Sequence, residues 1–284
     1  DNYIMGFAKP IEQYLFGNLL TEIQVIMYLK DIIRGEVIMS IPKIIHYCWF
    51  GGGPISAESQ KCMESWKKYC PDYKIMAWNE QNFDISTNRY AQQAYEAKKY
   101  AFVSDYVRLA VLYEYGGIYL DTDVELVRPL DELLELPGFM GFQTNNEVAT
   151  GLGFGARKGN SVVQALLRDY DALDFLKADG SADLTPCPER NTRVLQALGV
   201  RKDGTRQSIA EMEIFPAEYF CPMDLYSRKL RVTPKTYSIH RYAESWKPKP
   251  SAVSRILQRL LKKHYYTWYC PLRGRIEGRL RKRT

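Results

Sequence analysis

The stretch Gly116-Gly117-Ile118-Tyr119-Leu120-Asp121-Thr122-Asp123 runs from a glycine pair through an apolar segment to two carboxylates spaced i, i+2. The apolar segment reads as a short buried strand. In an extended backbone alternate side chains point the same way, so Asp121 and Asp123 are expected to converge at the strand end. Two hard oxygen donors there suit a divalent cation, and Mg²⁺ or Mn²⁺ carrying a diphosphate is a natural occupant. A bare Asp-x-Asp is common by chance, so its weight comes from what surrounds it.

Upstream, residues 104 to 115 show helical apolar spacing with Ser104 as N-cap, and Gly116-Gly117 stops the helix and reverses the chain. Asp105 and Arg108 fall at i, i+3 on one helix face. They form either a surface ion pair of little worth or a polar pair presented to a ligand beside the two carboxylates. Further upstream, residues 43 to 49 read as an apolar strand and Gly51-Gly52-Gly53-Pro54 as a loop. A helix with Met63 and Trp66 inward, a strand over 73 to 78 and a helix over 90 to 99 follow. This alternation predicts an α/β fold with a mostly parallel sheet. Ligands of such sheets sit beyond the carboxyl ends of strands, which brings Trp49 and the Asp121/Asp123 pair to one crevice.

Ser104-Asp105-x-x-Arg108 followed by Tyr115-Gly116-Gly117-Ile118-Tyr119-Leu120-Asp121-x-Asp123 resembles the DXD-motif sugar transferases of glycosyltransferase family 32. More distantly it is similar to the glucosyltransferase domains of large clostridial toxins. Two further segments match in order: Ile41-Pro42-Lys43-Ile44-Ile45-His46-Tyr47-Cys48-Trp49-Phe50-Gly51-Gly52, and Ser238-Ile239-His240-Arg241-Tyr242-Ala243-Glu244-Ser245-Trp246. The resemblance spans about residues 40 to 247. It implies a GT-A nucleotide-sugar fold and a metal-dependent, retaining glycosyltransferase. The donor would be a nucleotide sugar, UDP-linked by preference. The acceptor would be a glycan or lipid-linked saccharide in cell-surface polysaccharide synthesis.

The resemblance also assigns roles. Asp123 would ligate Mn²⁺ or Mg²⁺ directly, with Asp121 binding ribose, sugar hydroxyls or the metal through water, and His240 as third ligand or phosphate contact. The cation would offset charge building on the departing diphosphate. Trp49 offers a flat face to the base, or is a core tryptophan. Asp105 and Arg108 would grip sugar hydroxyls, and Ser245 and Trp246 would close over the diphosphate. Tyr119 is a donor contact or an inward strand residue. Glu147, in Asn145-Asn146-Glu147, is a candidate base or nucleophile, with a solvated loop glutamate as the alternative. Gly151-Leu152-Gly153-Phe154-Gly155 lacks the spacing of a phosphate loop and reads as a flexible strand or a close backbone approach.

The 284 residues carry a net charge of +6. From Ser251 onward ten basic residues face Glu277 alone, a tail of +9 that leaves the remainder at −3. Val253, Ile256, Leu257, Leu260, Leu261, Tyr265 and Trp268 share a helical face there, so residues 251 to 284 read as a basic amphipathic tail. Such a tail either meets an anionic membrane surface or packs its apolar face on the domain. No nucleic-acid motif accompanies the basic residues. Residues 1 to 38 are a helical extension or sequence foreign to the protein, and residues 39 to 250 the GT-A catalytic domain. The six cysteines include no C-x-x-C, and no signal peptide is visible. Reduced thiols and a cytoplasmic location, peripheral on the inner membrane face if the tail binds lipid, are therefore expected. Competing readings are a Mg²⁺-dependent nucleotide-sugar hydrolase and a non-catalytic glycan-binding or membrane scaffold module.

Overall fold

The computed structural model describes residues 40–224 and 227–243. The expectations for residues 1 to 38, for the tail from 251 to 284, and for Ser245 and Trp246 lie outside these residues. Strands β1 (Ile44–Cys48) and β2 (Lys74–Trp78) pair in parallel, Ile44 opposite Lys74 and Cys48 opposite Trp78. A parallel pair needs a crossover, and helix α1 (Ala57–Tyr69) supplies it. Ser56 caps α1 by accepting the Ser59 N–H at 3.0 Å. Trp66, fully buried, donates its Nε1–H to Val124 O at 2.7 Å.

Helices α2 (Arg89–Glu96) and α3 (Tyr100–Tyr115) come next. Helix α3 starts four residues earlier than the sequence predicts. Ser104 is not its cap but lies inside it, with Oγ donating to Tyr100 O at 3.1 Å. No side chain caps the start at Lys99; burial of Phe102 and Val103 carries the helix back past Ser104. At the other end Gly116 (φ 65°) and Gly117 (φ 109°) take conformations that favour glycine. A Cβ on Gly117 would also lie 2.8 Å from His46 Nε2.

The chain continues through β3 (Gly117–Tyr119), β4 (Val124–Leu126), β5 (Gly138–Phe142), β6 (Val148–Ala149) and β7 (Phe154–Ala156). Then come α4 (Ser161–Asp171), α5 (Cys187–Ala197), β8 (Gln207–Ile209), β9 (Met212–Phe215), α6 (Ala217–Phe220) and β10 (Ser238–His240). The main sheet is ordered β2-β1-β3-β7-β5-β9-β8, with β6 paired to β5. Strands β1, β2, β3, β5 and β9 run one way, and β6, β7 and β8 run against them. This is a mixed but mostly parallel α/β sheet, the arrangement expected of a GT-A fold. Side chains alternate across it. Tyr119 packs in the cluster that includes Tyr90, Val107 and Tyr170, while Ile118 and Leu120 join Trp66 and Leu126 on the other face. Strand β10 pairs antiparallel with β4 as a separate ribbon, His240 opposite Val124. Among the described residues no helix is long and apolar enough to cross a membrane.

Candidate active site

The carboxylate pair converges by a different route from the one the sequence predicts. Strand β3 ends at Tyr119, and the chain then turns, with the Val124 N–H donating to Asp121 O at 3.0 Å. That i, i+3 bond is a β-turn, so curvature rather than extended alternation brings Asp121 and Asp123 together. Ribbon pairing adds the third member. His240 Nε2 lies 3.2 Å from Asp123 Oδ1, and the Ala243 N–H donates to Asp123 Oδ2 at 2.7 Å. The ligand atoms of Asp121, Asp123 and His240 all lie within 4.8 Å of one another.

Two observations test whether these residues fit a cation. With Nε2–H directed at Asp123, His240 Nδ1 is buried and has no hydrogen-bond partner. Such an orphan in a polar cluster calls for an occupant. The hydrogen bonds on the Asp121 carboxylate fall on Oδ1, one from Tyr119 Oη–H at 3.0 Å and one from Arg108 Nη2–H at 3.1 Å. Its Oδ2 faces Gly151, where a Cβ would collide with it. Two carboxylates and one imidazole match the donor set of Mn²⁺ or Mg²⁺.

Electrostatics prepare the cluster. Burial pushes the Asp121 carboxyl above its usual range and Asp123 adds to this, while Arg108 opposes both. Burial disfavours the Asp123 carboxylate too, but the charge and hydrogen bond of His240 and the Ala243 N–H outweigh it and hold the pKa down to about 2. His240 is raised, since Asp123 outweighs the opposing effect of burial. A cation and a proton therefore compete for this imidazole.

Arg108 is buried, and its five N–H groups are all engaged. Nε donates to Ser104 O at 3.1 Å. Nη1 serves Thr150 Oγ1 at 3.4 Å and Cys187 Sγ at 3.3 Å. Nη2 bridges Asp105 and Asp121, each at 3.1 Å. The expected grip of Arg108 on sugar hydroxyls is replaced by a clamp on two carboxylates, because no donor remains. Asp105 is raised to about 6 by burial and by Asp121 against the pull of Arg108. Tyr119 is also a supporting residue rather than a donor contact: its ring is buried under the Arg108 guanidinium at 5.0 Å, and its hydroxyl is spent on Asp121.

Trp49 sits half-buried just past the end of β1, its Nε1–H bonded to Gly53 O at 2.6 Å. Glu147 departs from the expectation. Its carboxylate pairs with Lys202 Nζ at 3.1 Å and accepts from Asn145 Nδ2 at 2.9 Å, and it lines a cleft along α5 rather than joining the ligand group. A base or nucleophile must be free to act, so the geometry does not support that role. The sequence reading missed Thr150 and Cys187, which contact Arg108, and Asn191, which bonds Thr150, while the close backbone approach it allowed for the glycine run falls at Gly151 against Asp121. Only the glycine run and the Pro186-Cys187-Pro188 helix start signalled that anything was placed there.

An α/β sheet with two carboxylates and a histidine gathered where β3 turns into a closing ribbon defines a candidate cation-binding site. Residues 56–139 match the family described as glycosyltransferase sugar-binding region containing DXD motif. The chain is 27% identical over 187 residues to inositol phosphoceramide mannosyltransferase 3 of Schizosaccharomyces pombe, covering 57% of this chain and 49% of that protein. It is 28% identical over 148 residues to human alpha-1,4-N-acetylglucosaminyltransferase, covering 52% of this chain and 38% of that one. The chain therefore spans about half the length, or less, of these two curated relatives. Among solved structures it is similar to the PaToxG glycosyltransferase, with a TM-score of 0.42, 20% identity, and coverage of 62% of this chain and 80% of that one.

Proposed function

We propose that this chain is a metal-dependent, retaining glycosyltransferase that moves a sugar from a nucleotide-sugar donor to a saccharide acceptor. The observation that carries the reading is the convergence of Asp121, Asp123 and His240, with an orphaned imidazole nitrogen, beside Asp105. Asp123 and His240 hold Mn²⁺ or Mg²⁺ directly, with Asp121 completing the set. The bound ion supplies positive charge against the departing diphosphate. Asp105 accepts hydrogen bonds from sugar hydroxyls, and Arg108 fixes Asp105 and Asp121 relative to each other. Trp49 presents its ring to the base. The relatives' names include a mannosyl and an N-acetylglucosaminyl transferase, so UDP- and GDP-sugars both belong in the test, with UDP the favoured carrier.

Nucleotide release from a panel of UDP- and GDP-sugars with Mn²⁺ tests the reading. Slow release from one donor, abolished by EDTA and lowered roughly 10²- to 10³-fold in Asp123→Ala, is expected. Fast turnover that no acceptor accelerates would favour a hydrolase, and no metal-dependent release from any donor would favour a binding module.

The acceptor is carried at a membrane surface in this reading. One relative is named for a phosphoceramide lipid, and the tail from residue 251 carries +9. Flotation with anionic liposomes should fall sharply when residues 251–284 are removed and also in high salt. Equal flotation with and without the tail would refute its role.

A further inference from the structure

The cleft that holds Glu147 lies on the far side of α5 from Arg108. Helix α5 begins at Cys187, whose Sγ meets Arg108, and Asn191 Nδ2 donates to Thr150 Oγ1 at 3.1 Å. Other α5 residues, Glu189, Arg193 and Gln196, line a cleft of about 270 Å³ together with Glu147, Arg190 and Lys202. One helix thus forms a wall of both sites. They are also joined by chain. From Glu147 the strand β6 leads to Thr150 and Gly151, which contact Arg108 and Asp121. Gly151 is four positions on from Glu147, a reach of at most about 14 Å.

The lining is chemically specific. Lys202 is matched by Glu147 at 3.1 Å, Arg193 by Asp169 at 3.0 Å, and Arg190 by Asp183 at 2.6 Å. The cations are already compensated, which leaves no unmatched positive charge for an anion. What remains is a lining of donors and acceptors interspersed with about as much apolar surface. Hydroxyl groups both donate and accept, and the C–H faces of a sugar meet apolar surface, so a polyhydroxylated ligand satisfies such a lining where a phosphate does not.

We propose that this cleft is an acceptor subsite for a neutral saccharide unit set back from the attacking hydroxyl, so that the acceptor is an oligosaccharide rather than a monosaccharide. The proposal rests on the transferase reading for the word acceptor, but saccharide binding in the cleft is testable without turnover.

In the first arm, neutral mono- and trisaccharides of mannose, glucose and N-acetylglucosamine are titrated against the full chain, without donor or metal, by saturation-transfer NMR. At least one trisaccharide should bind more tightly than its monosaccharide. Its binding should weaken about tenfold in both Arg193→Ala and Gln196→Ala, with thermal melting confirming that each variant is folded. In the second arm, transfer to that trisaccharide is measured: its KM should rise about tenfold in both variants while the donor KM stays within twofold.

Trisaccharide binding that both variants leave unchanged would overturn the proposal, as would a phosphorylated sugar binding tighter than every neutral one. Donor and acceptor KM rising together would also overturn it, by tying the cleft to the donor. Failure of wild-type nucleotide release with the first arm intact would refute the transferase reading alone.

Discussion

Gly151 illustrates how much the site depends on one missing methyl group. Its Cα lies against Asp121 Oδ2, the oxygen left free by Tyr119 and Arg108. In Gly151→Ala the new carbon displaces that carboxylate from the cluster while the surrounding backbone keeps its conformation. Mn²⁺ affinity, read by calorimetry, should fall about 10- to 100-fold, the range typical of disturbed ligand support. Stability to urea should change by less than that loss implies. The same neighbourhood marks the limit of reading this site from sequence. The convergence of Asp121, Asp123 and His240 was legible, the aspartates from their spacing and His240 from the resemblance of its segment. The exhaustion of Arg108 was not, because its partners Thr150 and Cys187 lie 42 and 79 positions away. No local pattern announces that a guanidinium has no donor left.

Among the elements, the pairing of β1 with β2 and β3 turns on His46. Its buried ring accepts the Trp78 Nε1–H at Nδ1, 3.0 Å away, and donates Nε2–H to Gly116 O at 2.9 Å. Only the neutral Nε2–H tautomer satisfies both partners. Burial accordingly lowers its pKa from 6.5 to about 4, against the opposing Gly116 carbonyl. The sign follows from linkage. Above pH 6.5 the stabilisation is complete. Between about 6.5 and 4 the unfolded chain takes up a proton that the folded chain refuses, so stability falls as the pH drops. The loss is about 3 kcal/mol from this group, measurable as a declining urea midpoint from pH 7 to 4, and His46→Asn should flatten that slope. Strand and helix order was legible here from apolar runs and glycines. The true start of α3 was not, since buried side chains rather than a cap define it. The turn after Tyr119 was also hidden, because an i, i+2 spacing suits a turn as well as a strand.

For the molecule as a whole, cation binding and folding are linked, because the ligands come together only in the folded sheet and ribbon. An ion that binds the native state alone stabilises it by about 2.7 kcal/mol at a hundred times its Kd. Mn²⁺ should therefore raise the melting temperature of wild type in a concentration-dependent way and leave Asp123→Ala unmoved. A rise of equal size in both proteins would refute the assignment of Asp123.

The ribbon of β4 and β10 also has a consequence in time. Asp123 and Ala243 are hydrogen-bonded across 120 positions, and His240 arrives with that same last strand. A chain emerging from the ribosome exposes both aspartates long before it can offer the imidazole. Every strand of the main sheet has been synthesised by then. A metal held by all three residues would therefore be loaded only after the whole main sheet has been made. A message truncated just before Ser238 would yield a chain with all eight strands of its main sheet but without the histidine that joins Asp121 and Asp123.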